Sequence, residues 1–492
     1  KKMKKLFCFL LLIAIFSTML FSCDTGVVDN KSTDTVSKEE SKKVDEFINE
    51  QGRYTPRIEY KDWEERTFNI LVRGEAAATY QSEDFTTNSV LYGDNLNKAV
   101  LDRNNYVQET YNVVINPIKS DTINQDFANE ALAMTGAYDA IMPTLASLAR
   151  FAQDGYLYDL NDLEYITLEA PWYDKNANDA FSIQNKLFFT TGDITILNKV
   201  CTPSVLFNKQ MITDLNLDNP YELVNNHEWT FDKMVQMAKQ ATMINTTDGS
   251  ISKENRYGML SSYADGLNFF GSAGQKLCSK DADDLPYLSI GTEESINIAQ
   301  KILETMRDAD WLVYAQKFED PIWVTSFATF LEGRALFRPS GFSATTKARQ
   351  QSLIEFGILP TPLWNEDQED YYSYCGSGEV AGIAVPLSAP DPDFSAYMVE
   401  VCSAEAKNTI TKAYMEVNLQ AKDVRDDESL EMLEIIFDNI VYDVGEVYNF
   451  GGVKSIFYNL TSAGSADIVS ELESIRPTIE SEITTTIENY SD

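Results

Sequence analysis

A single histidine, His227, stands in the whole chain of 492 residues. Catalysis by a histidine base with a second histidine as metal ligand is therefore excluded, and a serine–histidine–aspartate triad would hang on this one side chain. His227 lies just before Trp229-Thr230, where a helix start is expected, so a structural or surface role suits it better. After Cys8 and Cys23 the cysteines are Cys201, Cys278, Cys375 and Cys402. None falls in a CxxC pair, so no zinc site is expected. Export would permit disulfides, and four cysteines allow three pairings; free, mostly buried thiols are the preferred reading. Carboxylates are the abundant chemistry: 76 Asp and Glu face 40 Lys and Arg, for a net charge of −36. Two carboxylates could hydrolyse a glycosidic bond, and their number alone does not exclude it. The same balance argues against nucleic-acid binding, which needs a basic footprint. A solvated acidic surface suits a protein that must stay soluble outside a cell.

The N-terminus explains where that surface would be displayed. Lys1, Lys2, Lys4 and Lys5 precede an apolar run from Leu6 to Phe21, the layout of a secretory signal. The run is shorter than the about 20 residues of a membrane span. Leu20-Phe21-Ser22-Cys23 resembles the bacterial lipobox, with Phe21 departing from the small or β-branched residue usual there. The resemblance implies a signal peptide over residues 1–22, cleavage before Cys23, and a lipid on Cys23. Residues 23–56 are rich in Lys, Asp, Glu, Ser and Thr, with few large apolar residues before Phe47. Such a stretch cannot bury a core and reads as a flexible tether. One acyl chain anchors a protein only marginally; lipoproteins of this kind carry two or three.

Elements that could position chemistry begin at Arg66. "RTFNILVRG" reads as a buried strand, "NLNKAVLDRNNYVQETYN" as a helix, "VVINPI" as a strand and "TINQDFANEALAMTG" as a helix closed by Gly136. "YDAIMP" and "LASLARFAQDG" repeat the pattern. Alternation of this kind predicts an α/β layer with mainly parallel strands, and about 435 residues after the tether suit two domains. Ligands in such sheets sit at the carboxyl ends of the strands, where Gly74, Thr144 and Ser147 fall. Further strands are expected at "GRALFRPSG", "FGILPTP" and "EVAGIAVP", and the last hundred residues read as helical.

Four stretches, in order, resemble the extracellular solute-binding proteins of ATP-driven sugar importers, the family that includes maltose-binding proteins. They are "YDAIMPTLASLARFAQDGYLYDLNDL", "PWYD…NKLFFTTGD…SVLFNKQMI", "FLEGRALFRPSG…FGILPTP" and "YDVGEVYNFGG". The resemblance implies an α/β, two-lobe, periplasmic-binding-protein-like fold of class II, with a ligand cleft between hinge-linked lobes. Lobe 1 is expected over 57–197 plus 340–377, and lobe 2 over 198–339 plus 378–492. Chain crossings are expected near 194–204, 336–341 and 376–382. Closure of such lobes around a ligand is an established switching mode.

Sugars present flat apolar faces and rims of hydroxyls, matched by aromatic rings, carboxylates, amides and arginine. By position in the resemblance, Phe342, Tyr448 and Phe450 are expected as rings under a sugar. Asp193 after Gly192, Arg73 and Glu75 at the end of the first strand, Thr144 at the end of the third, and Arg338 and Glu379 beside the crossings complete the expected ligand set. Trp172 in "PWYD" reads as packing. Many relatives carry a calcium loop, D-x-N-x-D-G; here Ile244 and Thr246 stand where two oxygen ligands would, so no metal and no cofactor are expected. The resemblance thus implies a lipid-anchored, monomeric, non-enzymatic binding protein outside the cytoplasm. It would deliver a carbohydrate, expected to be an oligosaccharide, to the permease of an ABC importer. A peptide or other small solute on the same fold, and a surface glycoside hydrolase, stay open as alternatives.

Overall fold

The computed structural model describes residues 46–491, except 75–83, 87–92, 248–249, 308, 319–321, 352 and 421–426. The expected signal, Cys23 and most of the tether lie outside the described residues, as do Glu75 and the Asp248-Gly249 pair. Among the described residues no helix is long and apolar enough to cross a membrane.

Strand β1 (Arg66–Arg73) buries Phe68, Ile70, Leu71 and Val72 almost completely. Near-continuous apolar sequence of this kind marks a parallel strand covered on both faces. It pairs in parallel with β2 (Val113–Ser120) and β3 (Ala140–Met142), in the order β2-β1-β3. Pro117 is tolerated in β2 because β2 is the outer strand of the three. Helix α1 (Gly93–Tyr111) links β1 to β2, and α2 (Ile123–Ala133) links β2 to β3. Helix α3 (Leu145–Gln153) follows β3 directly, with the Thr144 side chain accepting from the Ser147 N–H as its N-cap. Beyond β3 the layer continues through antiparallel bridges Ile141–Ala384 and Thr144–Ala381, and then Thr190–Ile383.

A second layer has the order β10-β4-β9-β5-β8. Its members are β4 (Pro203–Asn208), β5 (Tyr257–Ser261), β8 (Leu312–Tyr314), β9 (Ala335–Gly341) and β10 (Phe356–Leu359). Between β5 and β8 runs a two-stranded hairpin of β6 (Cys278–Lys280) and β7 (Pro286–Leu288). Strand β5 runs parallel to β8 and β9; β4 runs antiparallel to β9 and β10. The β5–β9 pairing ends at Met259–Phe337, so Pro339 meets no ladder donor requirement on that side.

This pairing corrects the expected division of the chain. Residues 340–377 were assigned to lobe 1, yet β10 pairs with β4 in the second layer. Residues 378–492 were assigned to lobe 2, yet Ala381, Ile383 and Ala384 pair with the first layer. Helix α10 (Pro392–Ala406), capped by Asp391, likewise packs on α1. The stretch 336–341 is no crossing but the body of β9, held between β4 and β5. Two of the connections between the layers run through about 193–202 and about 375–380; the chain passes between them again from the helix Lys412–Gln420, which packs on α1, to the helix Asp427–Asp438, which packs on β10.

Candidate functional site

The carboxyl ends of β1 and β3 gather one group of polar side chains. Arg73 ends β1, and its Nη1 donates to the Glu379 carbonyl at 2.8 Å. Thr144 ends β3, and its Oγ1 lies 2.9 Å from Ser147 Oγ. The returning connection is seated on the start of α3: Leu145 N–H donates to Val380 O at 2.9 Å and Ala146 N–H to Ser377 O at 3.3 Å. Ser377 in turn donates its N–H to Glu446 Oε2 at 2.8 Å. Glu446 belongs to a short helix α11 (Val444–Tyr448) and is 6 % exposed; burial raises its carboxyl pKa, against the lowering effect of Lys454. The Glu379 side chain is exposed.

The outgoing connection closes on the same group. Cys201 is half-buried; burial pushes its thiol pKa up, the Glu379 charge adds to the rise and Arg73 opposes it. Asp84, 5 % exposed, accepts from Thr195 Oγ1 at 2.7 Å and from Ile196 N–H at 2.9 Å. Burial lifts Asp84 to about 6 although these donors and Arg103 favour the charged form. The second layer arrives next to it. Gly341 at the end of β9 pairs with Pro203, and Phe342 N–H donates to Thr202 O at 2.8 Å. A side chain on Gly341 would meet the Cys201 carbonyl at 3.5 Å.

Arg338 lies on β9 just past the last β5 partner. Its guanidinium is 3.5 Å from Leu260 O through Nη1 and 5.4 Å above the Phe327 ring. Asp265, opening helix α7 (Asp265–Ser272), accepts from Ser261 Oγ at 2.8 Å and Ser262 N–H at 2.7 Å. Burial raises Asp265 to about 6 and lowers Arg338 to about 10, with each partly offset by the other's charge.

Of the expected ligand set, the structure therefore brings Arg73, Thr144 and Glu379 together and places Arg338 on β9, the central strand of the second layer. The remaining four described residues are used elsewhere. Asp193 is not offered to a solute: its carboxylate is 8 % exposed, bonded by Lys407 at 3.0 Å, Lys199 at 3.3 Å and Thr411 Oγ1 at 2.8 Å. Phe342 is fully buried, edge-on to Phe437 at 5.1 Å. Tyr448 donates or accepts at 2.7 Å with the Tyr490 hydroxyl and donates to Phe181 O at 2.9 Å. Phe450 is fully buried and stacks on Tyr448 at 5.5 Å. Tyr448, with its partner Tyr490, joins the C-terminal helices to Phe188 and Phe189. Sequence reasoning passed over Ser377, Glu446 and Asp265. The glycines beside Ser377 in "CGSGEV" and the acid opening a helix after β5 were the available signals.

Two concavities of about 670 Å³ lie away from this group. One borders Asn176, Asp179, Lys280 and Asp284; the other borders Glu293, Lys301 and Trp364. In the first, Lys280 already pairs with Asp284 and Ser182. In the second, Trp364 is stacked by Phe231 and covered by Lys301. Neither touches a strand end that the expected fold would use.

No family model and no curated protein matches the sequence. Solved structures do match. The GacH receptor of Streptomyces glaucescens, known unliganded and with acarbose, matches at 14% identity with a TM-score of 0.52, over 87% of this chain and 97% of its own. The ABC substrate-binding protein Lmo0181 from Listeria monocytogenes, in complex with cycloalternan, matches at 12% identity with a TM-score of 0.53, over 85% of this chain and 99% of its own. A cyclo/maltodextrin-binding protein complexed with maltotetraose matches at 13% identity with a TM-score of 0.54, over 86% of this chain and 96% of its own. With both layers and their connections in view, the chain shares the two-lobe α/β fold of these solved binding proteins.

Proposed function

We propose that this protein is an extracytoplasmic solute-binding protein that captures a carbohydrate, an oligosaccharide in preference to a monosaccharide, and delivers it to the permease of an ABC importer. One observation carries the reading. Nearly the full length of three sugar-binding proteins, bound to acarbose, cycloalternan and maltotetraose, superposes on 85–87% of this chain. The polar group supports it: Arg73, Thr144 and Glu379 stand where strand ends meet two inter-layer connections, the usual ligand position in open α/β sheets. In this reading the N-terminal leader directs export, Cys23 carries the lipid, and the tether keeps a monomeric binding body near its permease. The protein binds and releases without chemistry, and the lobes close about the connections between the layers. A thermal-shift screen over mono- and oligosaccharides, with product analysis after long incubation, tests it. A ligand at 100 times its dissociation constant adds about 2.7 kcal/mol to stability. Binding without turnover supports the reading. A released sugar product, or stabilisation by peptides alone, overturns it.

A further inference from the structure

Arg338 poses a question that packing does not answer. The residue is 5 % exposed, and its Nε has no hydrogen-bond partner among the described residues. Among them its one hydrogen bond, Nη1 to Leu260 O, is at the limiting length of 3.5 Å. Its nearest acidic neighbour, Asp265, spends its carboxylate on Ser261 and Ser262 and forms no ion pair with it among the described residues. A guanidinium carries five donors in a planar fork. Taking such a charge out of water without a hydrogen-bonded anion is strongly unfavourable. One face is already occupied by the Phe327 ring, which leaves the edge of the fork to be matched. The residue sits just past the last β5–β9 pair, opposite Leu206 of β4 and three residues before Gly341, which adjoins Cys201.

We infer that Arg338 receives a carboxylate of the bound solute. This rests on reading the strand-edge group as the solute site, and it makes the cargo an acidic oligosaccharide that contains a uronic acid. A hydroxyl could accept a hydrogen bond but would leave the buried charge uncompensated. A carboxylate meets the fork with two parallel bonds and supplies the missing counter-charge. A dianionic phosphate fits less well, since Asp265 stands beside the guanidinium and the whole chain carries −36. A second source of the same group is the terminal carboxylate of a short peptide.

Calorimetric titration of the full-length protein separates these. The probes are a glucuronate-terminated trisaccharide, its neutral glucose counterpart of the same linkage, and a tripeptide with a free or an amidated C-terminus. The expected result is at least a 30-fold preference for the uronate over the neutral sugar. Arg338→Gln should erase that preference, and Arg338→Lys should restore part of it; circular dichroism checks that both variants fold. A neutral sugar that binds as tightly as the uronate overturns the inference and leaves the sugar-binding proposal standing. Preference for the free-carboxylate peptide over both sugars upholds the role of Arg338 and overturns the sugar cargo. Binding of none of the four overturns the inference.

Discussion

Asp193→Asn tests the use the structure makes of a buried carboxylate bonded by two lysines. The side chain is 8 % exposed and bridges Lys199, 15 % exposed, to Lys407, 22 % exposed. Its own N–H donates to Trp172 O, so the residue pins the start of the outgoing connection to the first layer. Removing the charge leaves two ammonium groups facing a neutral amide. Breaking a buried ion pair costs about 3–5 kcal/mol. Both lysines retain some contact with water, which reduces the expected loss to about 2–3 kcal/mol. Burial alone would raise the Asp193 pKa, but Lys199, Lys407 and the Thr411 hydroxyl outweigh it and hold the carboxyl below its usual value. A folded-state pKa below the unfolded one, about 3.9, contributes stability above that pH and loses it as pH falls. Urea unfolding should therefore show the full difference between wild type and variant at pH 7, and a shrinking difference below about pH 4. Sugar affinity should be unchanged. A loss under about 0.5 kcal/mol, or lost sugar binding at unaltered stability, would refute the reasoning and return Asp193 to the ligand set.

Three further outcomes are expected. Tyr448→Phe strips the hydroxyl shared with Tyr490 and Phe181 O and should cost about 1–3 kcal/mol in urea unfolding, with sugar affinity within twofold of wild type. Glu400, buried and raised to about 7 chiefly by burial, accepts from Tyr173 at 2.7 Å. Its folded-state pKa exceeds the unfolded one, so its contribution is full below about pH 4.5 and is lost as pH rises through 7; Glu400→Gln should flatten that decline and gain up to about 3 kcal/mol at pH 8. Cys278, Cys375 and Cys402 are buried free thiols and Cys201 is half-buried. A thiol reagent should label at most Cys201 in the native chain from Glu46 onward and all four in urea without reductant; a shortfall in urea would mean disulfides.

The strand-helix alternation from Arg66 to Gly155 was readable because the strands carry β-branched and apolar runs and the helices follow with caps such as Thr144; the expected stop at Gly136 falls instead on Met134, which takes the left-handed C-cap after Ala133. Arg73 and Thr144 were readable for the same reason, since a strand end is a position that local pattern reveals. The layer to which 340–386 belongs was not. "FGIL" and "GIAV" are equally apolar, and only pairing with β4 or with Ile141 distinguishes them. The aromatic residues failed differently. A ring that stacks on sugar and a ring that packs on Phe189 or Phe437 have the same composition and spacing. Long-range contacts with Tyr490, 42 residues on from Tyr448, decided their burial. Asp193 misled because a glycine before a carboxylate signals a turn whether its charge meets a solute or two lysines.

The proposed function turns on capture of a sugar between the two layers. Isothermal titration of the wild-type protein with a panel of neutral and acidic oligosaccharides of two to six units measures that directly. It predicts saturable one-to-one binding in the micromolar range or tighter, about −8 kcal/mol or more favourable, with the sugar recovered intact. No heat with any member of the panel, or recovery of cleaved sugar, would contradict it.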